Sequence, residues 1–173
     1  MLNIVYILPE IFLALSIMFL LMIGVFIKKS FKLVNFLTII ILIFTSVIVL
    51  NQSGEVIKIF DGSYIIDEFS TFMKALTLLT CSFVLLSSRE YLKINKINKI
   101  EYPILILASV LGMVIMISSY DLIVFYLGLE LQSLCLYILT SFRRDDEKST
   151  EAGLKYFVLS ALASGLLLYG CSL

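Results

Sequence analysis

The sequence contains no histidine and no tryptophan, and only 15% of its 173 residues are charged. Without histidine, the commonest metal ligand and the usual neutral-pH proton carrier are both missing. Lys+Arg and Asp+Glu are each 13, so there is no basic excess to neutralise phosphates, which argues against nucleic-acid binding. Three cysteines are too few, and odd in number, for a secreted disulfide scaffold. Cys81, Cys135 and Cys171 all lie in apolar stretches with no Cys-x-x-Cys spacing, and read as small buried hydrophobes. The sequence shows no glycine-rich phosphate loop, nucleophile triad or haem motif.

What is present is apolar surface. Hydrophobic residues make up 61% of the chain and the mean hydropathy is +1.07. A soluble domain runs nearer half apolar and a quarter charged. The composition therefore predicts an all-α polytopic membrane protein. A helix needs about 20 apolar residues to cross about 30 Å of hydrocarbon. Six stretches qualify: 7–27, 31–50, 68–87, 102–118, 122–142 and 152–173. No basic region precedes the first, and Glu10 sits early, so it reads as an anchor and not as a cleaved signal.

The residues between the second and third stretches differ. Asp61-Gly62 stands between the β-favouring runs 56–60 and 63–66, which predicts a small outer-side β-hairpin. Ten cations fall in the first, third and fifth connections. The second holds only Lys58, and the fourth, Ser119-Tyr120-Asp121, holds none. This asymmetry predicts both ends of the chain on the outer side, with the odd connections facing the cytoplasm or matrix. KINKINKI at 93–100 reads as a lysine-rich loop, with an interfacial helix as the alternative.

Ionisable groups inside a membrane are costly and face protein or water. Glu130 is the deepest, roughly 12 Å from one end of its stretch and 18 Å from the other at 1.5 Å per residue. Gln132 and Ser133 beside it offer hydrogen bonds. A proton-exchanging carboxyl is the expectation, because burial disfavours the charged form; a structural, protonated glutamic acid is the alternative. Lys155 lies about one turn into the sixth stretch. It reads as a snorkelling interfacial lysine or as one that gates proton entry and tunes Glu130 across a distance of about 10 Å through water. Lys74 lies about two turns into the third stretch and is expected to snorkel outward to Asp67 and Glu68. Glu10, after Pro9 in a first turn, is expected at the interface. Ser160, Ala161, Ser164 and Gly165 would let the sixth helix pack closely on a neighbour.

These residues resemble a known family. The run Tyr126-Leu127-Gly128-Leu129-Glu130-Leu131-Gln132-Ser133-Leu134 is similar to the fifth helix of subunit N of respiratory complex I, whose mitochondrial equivalent is NADH dehydrogenase subunit 2. Phe142-Arg143-Arg144-Asp145-Asp146, Ser149-Thr150-Glu151-Ala152-Gly153-Leu154-Lys155-Tyr156-Phe157 and the segment 161–170 fit the same family. So do Leu8-Pro9-Glu10, Asp67-Glu68-Phe69 and Phe72-Met73-Lys74. The resemblance implies the first part of a fourteen-helix antiporter-like fold. Residues 1–101 would hold three helices and the hairpin, and 102–173 the start of a repeat, its helices four to six.

It also implies proton translocation driven by NADH oxidation and quinone reduction. NADH, FMN, iron–sulfur clusters and quinone would be bound by other subunits and no cofactor by this chain. The other membrane-arm subunits and the lipid bilayer would be its partners. Glu130 matches a glutamate that modulates a seventh-helix lysine, and Lys155 matches a lysine at the start of the sixth helix. The seventh, eighth and twelfth helices have no counterpart in these 173 residues. A piece of a longer product, one part of a split subunit, and a decayed frame all fit. Two other functions stand beside translocation: a non-conducting structural or assembly fragment, and a stand-alone cation/proton antiporter subunit. The second is disfavoured, since such subunits tend to carry Trp-Glu where this chain has Leu129-Glu130. The expected location is a bacterial plasma membrane or, alternatively, the mitochondrial inner membrane.

The topology predicts that Asn95→Cys and Asp146→Cys stay unreactive toward an impermeant thiol reagent added outside sealed cells. Efficient labelling at either position would reverse the orientation.

Overall fold

The structure is a computed structural model describing residues 6–26, 31–52, 56–95 and 97–173. Among the described residues there are six helices: α1 (Leu8–Phe26), α2 (Phe31–Leu50), α3 (Glu68–Ile94), α4 (Glu101–Ser118), α5 (Leu122–Thr140) and α6 (Glu147–Ser172). Each is long and apolar enough to cross a membrane. Between α2 and α3 stand β1 (Ile57–Ile59) and β2 (Tyr64–Ile66), an antiparallel pair in the register Ile57↔Ile66, Lys58↔Ile65 and Ile59↔Tyr64. The expected spans and hairpin are all present.

The boundaries shift where polarity and helicity part. α3 continues seven residues past 87, because Ser88, Arg89 and Glu90 end the apolar run without ending the helix. Buried Leu92 packs its last turn and Glu90 pairs with Lys93 at 3.5 Å. At 1.5 Å per residue its 27 residues reach about 40 Å, which exceeds the hydrocarbon core. The KINKINKI segment is accordingly divided. Its first two residues close α3, Asn95 caps it with a bond to the Tyr91 carbonyl, and 97–99 are non-helical. Lys96 lies outside the described residues, as do Lys28 and Lys29 of the first connection.

Capping explains where helices begin. Asp67 accepts a bond from the Ser70 amide at 2.7 Å, and the Ser70 hydroxyl accepts one from the Asp67 amide at 2.9 Å. Asp121 and Asp146 likewise accept from the amides of Ile123 and Lys148. Those bonds from Ser70 hold the Asp67 carboxyl below the usual carboxylate range. Inside the helices, Thr38, Thr45 and Thr77 donate to the carbonyls of Val34, Ile41 and Met73, so their hydroxyls stay satisfied in an apolar medium.

The core lies among α1–α4. Leu13 and Leu20 of α1, Leu42 of α2, Leu78 and Leu85 of α3, and Leu107 of α4 are fully buried in one cluster. α5 joins this core through one close crossing. A Cβ placed on Gly112 would stand 2.7 Å from the Gly128 carbonyl oxygen, and one on Gly128 would stand 2.9 Å from that of Gly112. Only glycine permits the α4 and α5 backbones to approach this far. Among the described residues α6 packs mainly on α5, and Gly153 is its one buried residue.

The hairpin turn is longer than the Asp-Gly pair suggested. It takes Phe60 through Ser63, with Phe60 and Asp61 at positive φ (52° and 53°) and Gly62 at 93°. Its buried side, Ile59, Tyr64 and Ile66, packs on Tyr6, Ile7 and Val124, closing that end of the bundle. The Tyr120 amide donates to the Ser63 carbonyl at 2.9 Å, so the even-numbered connections meet there. At the other end, Lys32, Lys93, Lys99 and Arg144 line one cavity, which brings the three cation-rich connections together.

Candidate functional site

Two polar groups lie inside the helical bundle, and the more complete one is at the hairpin end. Lys74 projects from the second turn of α3, Glu10 from the first turn of α1 and Tyr64 from β2. Lys74 Nζ donates to Glu10 Oε1 at 2.6 Å and to the Tyr64 hydroxyl at 3.0 Å, and that hydroxyl donates to the same Glu10 oxygen at 2.7 Å. Lys74 is 1% exposed and Glu10 6%. Lys74 Nζ stands 5.0 Å from the Tyr64 ring centroid.

This arrangement corrects two expectations. Lys74 does not snorkel to Asp67 and Glu68; it turns inward, because a carboxylate at matching depth on α1 offers a partner without solvent. Glu10 is a buried acceptor and not an interfacial group. Burial, and then the negative charge of Glu10, push the Tyr64 hydroxyl far above the usual phenol range, so it remains a donor. Glu10 Oε2 is buried without a hydrogen-bond partner among the described residues. Sequence reading missed the constellation. The available signal was depth: both ionisable groups lie within two turns of the same membrane face.

Glu130 occupies the ninth position of nineteen in α5, half a turn past the Gly112–Gly128 crossing. Its Oε1 is buried with no hydrogen-bond partner among the described residues. The expected polar cluster does not close around it. The Ser133 hydroxyl donates to the Leu129 carbonyl of its own helix at 2.7 Å, and Gln132 sits at the α4 crossing with its backbone nitrogen and Cβ against Gly112.

Lys155 is exposed and pairs with Glu151 one turn away at 2.6 Å; no hydrogen bond or ion pair joins it to Glu130 among the described residues. What ties α6 to α5 is aromatic. Tyr137 donates to Ser160 at 2.6 Å, and its ring meets Tyr156 and Phe157 edge-on. Of the three cysteines expected to be buried, Cys135 is, whereas Cys81 is half-buried and Cys171 exposed.

Residues 119–173, which hold α5, α6 and Glu130, match the sequence model of the family described as "NADH:quinone oxidoreductase/Mrp antiporter, TM". NADH-quinone oxidoreductase subunit N of Pelagibacter ubique is 59% identical over 172 residues, which is 99% of this chain and 36% of that protein. The same subunit of Paramagnetospirillum magneticum is 50% identical over 173 residues, again 36% of its length. Along nearly its whole length the chain is similar to a part of NADH-quinone oxidoreductase subunit N. It spans about a third of the length of the curated relatives it matches. A solved structure of respiratory complex I from Thermus thermophilus with bound aureothin superposes on 95% of this chain and 35% of its own, with a TM-score of 0.79 and 28% identity. In this chain the Glu10–Lys74–Tyr64 cluster lies before the segment that the antiporter description covers, and Glu130 lies inside it.

Removing one partner of a buried ion pair leaves an uncompensated charge and costs about 3–5 kcal/mol, whereas replacing both by apolar groups is often neutral. Lys74→Met is therefore expected to lower stability by about that amount in equilibrium unfolding from detergent micelles. Glu10→Leu with Lys74→Met is expected to recover most of it. Losses that simply add would show that the two side chains do not depend on each other.

Proposed function

We propose that this chain acts as part of a membrane-arm subunit of an NADH:quinone oxidoreductase and couples electron transfer to proton movement, with Glu130 as its proton-exchanging carboxyl. The observation that carries the reading is the buried, unpartnered Glu130 Oε1 halfway along α5, inside the segment that matches the antiporter family. A carboxyl held there without a fixed donor is free to gain and lose a proton as neighbouring charge changes. A lysine ammonium brought near would favour the ionised form, and its withdrawal the protonated form. The resemblance assigns that lysine to a seventh helix, outside these 173 residues.

Lys155 takes the role of a lysine at the entry side of α6, held by Glu151. Gln132 and Ser133 flank the carboxyl, and Lys74 belongs to the separate group at the hairpin end. NADH, FMN, iron–sulfur clusters and quinone belong to other subunits in this reading. The other membrane-arm subunits and the lipid bilayer surround this one. The first three helices and the hairpin, 1–101, form a leading unit, and 102–173 begin the antiporter-like repeat. The bacterial relatives favour a bacterial plasma membrane, and the concentration of cations in the odd connections favours both ends on the outer side.

Glu130→Gln keeps size and hydrogen bonding and removes the charge. It is expected to leave the amount of assembled complex unchanged and to lower the protons moved per NADH oxidised in membrane vesicles. Glu130→Ala is expected to lower pumping as well and to loosen packing. Normal pumping per NADH in Glu130→Gln, with less complex in Glu130→Ala, would make the residue a structural one.

A further inference from the structure

At the end of the bundle opposite the hairpin, the last turns of α1 and the starts of α2 and α4 enclose a cavity of about 840 Å³. Leu21, Val25 and Ile104 give it an apolar wall. Among the described residues four cations line it, Lys32, Lys93, Lys99 and Arg144, with Glu101 as the one carboxylate. A second cavity of about 410 Å³ adjoins it toward α5 and shares Leu21, Lys99, Glu101, Ile104 and Arg144. These cations come from three separate connections, so folding collects charges that the sequence disperses. Lys93 has a partial partner in Glu90 at 3.5 Å, and Lys99 lies 5.6 Å from the Phe142 ring centroid. Neither contact places a second carboxylate in the cavity.

We propose that this paired cavity is a binding site for an anionic phospholipid, whose phosphate lies between Lys99 and Arg144 and whose acyl chains run along Leu21, Val25 and Ile104. The argument is complementarity along one axis. The charged rim stands at the level where α1 ends and α2 begins, which is where a bilayer places phosphates. The apolar wall continues from that rim into the level of the hydrocarbon. Four cations against one acid select a negative head group over a zwitterionic one. The wall selects a lipid over free phosphate, which has nothing to place there. Binding here would join the α1–α2, α3–α4 and α5–α6 connections through one ligand. That role is separate from proton exchange at Glu130 and stands whether or not that exchange is observed.

The test reconstitutes the full chain in phosphatidylcholine bilayers with a trace of phosphatidylglycerol carrying a photoactivatable acyl chain. Phosphatidylcholine with the same acyl chain is the control. After illumination, adducts are mapped by mass spectrometry. The phosphatidylglycerol probe is expected to label Leu21, Val25 or Ile104 roughly tenfold more than the control does. Lys99→Gln with Arg144→Gln is expected to bring that labelling down to the control level. Arg143→Gln, whose side chain instead donates to Asn95 at 2.8 Å, is expected to leave it unchanged. Equal labelling of the unmodified chain by both probes overturns the proposal and needs no variant. Loss of labelling on adding inorganic phosphate also overturns it, in favour of a free-anion site.

Discussion

A charge inside a bilayer needs a partner inside the bilayer, and the fold is organised around the place where it has one. Lys74 and Glu10 are 64 positions apart in sequence and meet at 2.6 Å, each all but removed from solvent. Their attraction acts where water does not screen it, and Tyr64 adds a donor to the same carboxylate oxygen. Because the three residues come from α1, α3 and β2, the contact fixes the rotation of two helices about their axes and the seat of the hairpin. Leu13 and Leu20 of α1 and Leu78 and Leu85 of α3 then face the same core. The hairpin in turn meets the α4–α5 connection through Ser63 and Tyr120, which extends the constraint to the start of α5.

Order passes along α5 by a different device. The Gly112–Gly128 crossing brings two backbones together, and shape there replaces charge. Just beyond it Glu130 has a buried oxygen without a hydrogen-bond partner among the described residues. The two acidic groups differ in one respect: a cation and a phenol hold Glu10 through one oxygen, and neither is found at Glu130 among the described residues. α6 carries Ala161, Ser164 and Gly165, and a Cβ placed on Gly165 would meet nothing within 4 Å beyond its own helix among the described residues. Its small residues therefore do not make the close contact within this chain that their spacing suggests.

Much of this was legible from residue order. Span length and hydropathy locate six helices, because a membrane imposes a minimum on both. Asp61-Gly62 between β-favouring runs marks the hairpin, although the turn that forms uses four residues and places Phe60 and Asp61 at positive φ. The asymmetry of the lysines and arginines groups the odd connections at one end, as the shared cavity of Lys32, Lys99 and Arg144 bears out. What sequence does not carry is rotation about each helix axis. Depth can be counted from the ends of a span, but the face on which Lys74 points depends on how α1 and α3 pack. The same limit hid the Gly112–Gly128 contact and the ion pair that Lys155 makes with Glu151 one turn away on its own helix.

The central claim is that Lys74 is an interior cation, and its chemistry tests that most directly. Lys58 lies on the same hairpin end and is exposed, which makes it the internal standard. Brief acetylation of the folded protein in lipid, followed by mass spectrometry, is expected to modify Lys58 and leave Lys74 unmodified until the protein is denatured. Reaction of Lys74 at a rate comparable with Lys58 in the folded state would place its ammonium in water and contradict the account.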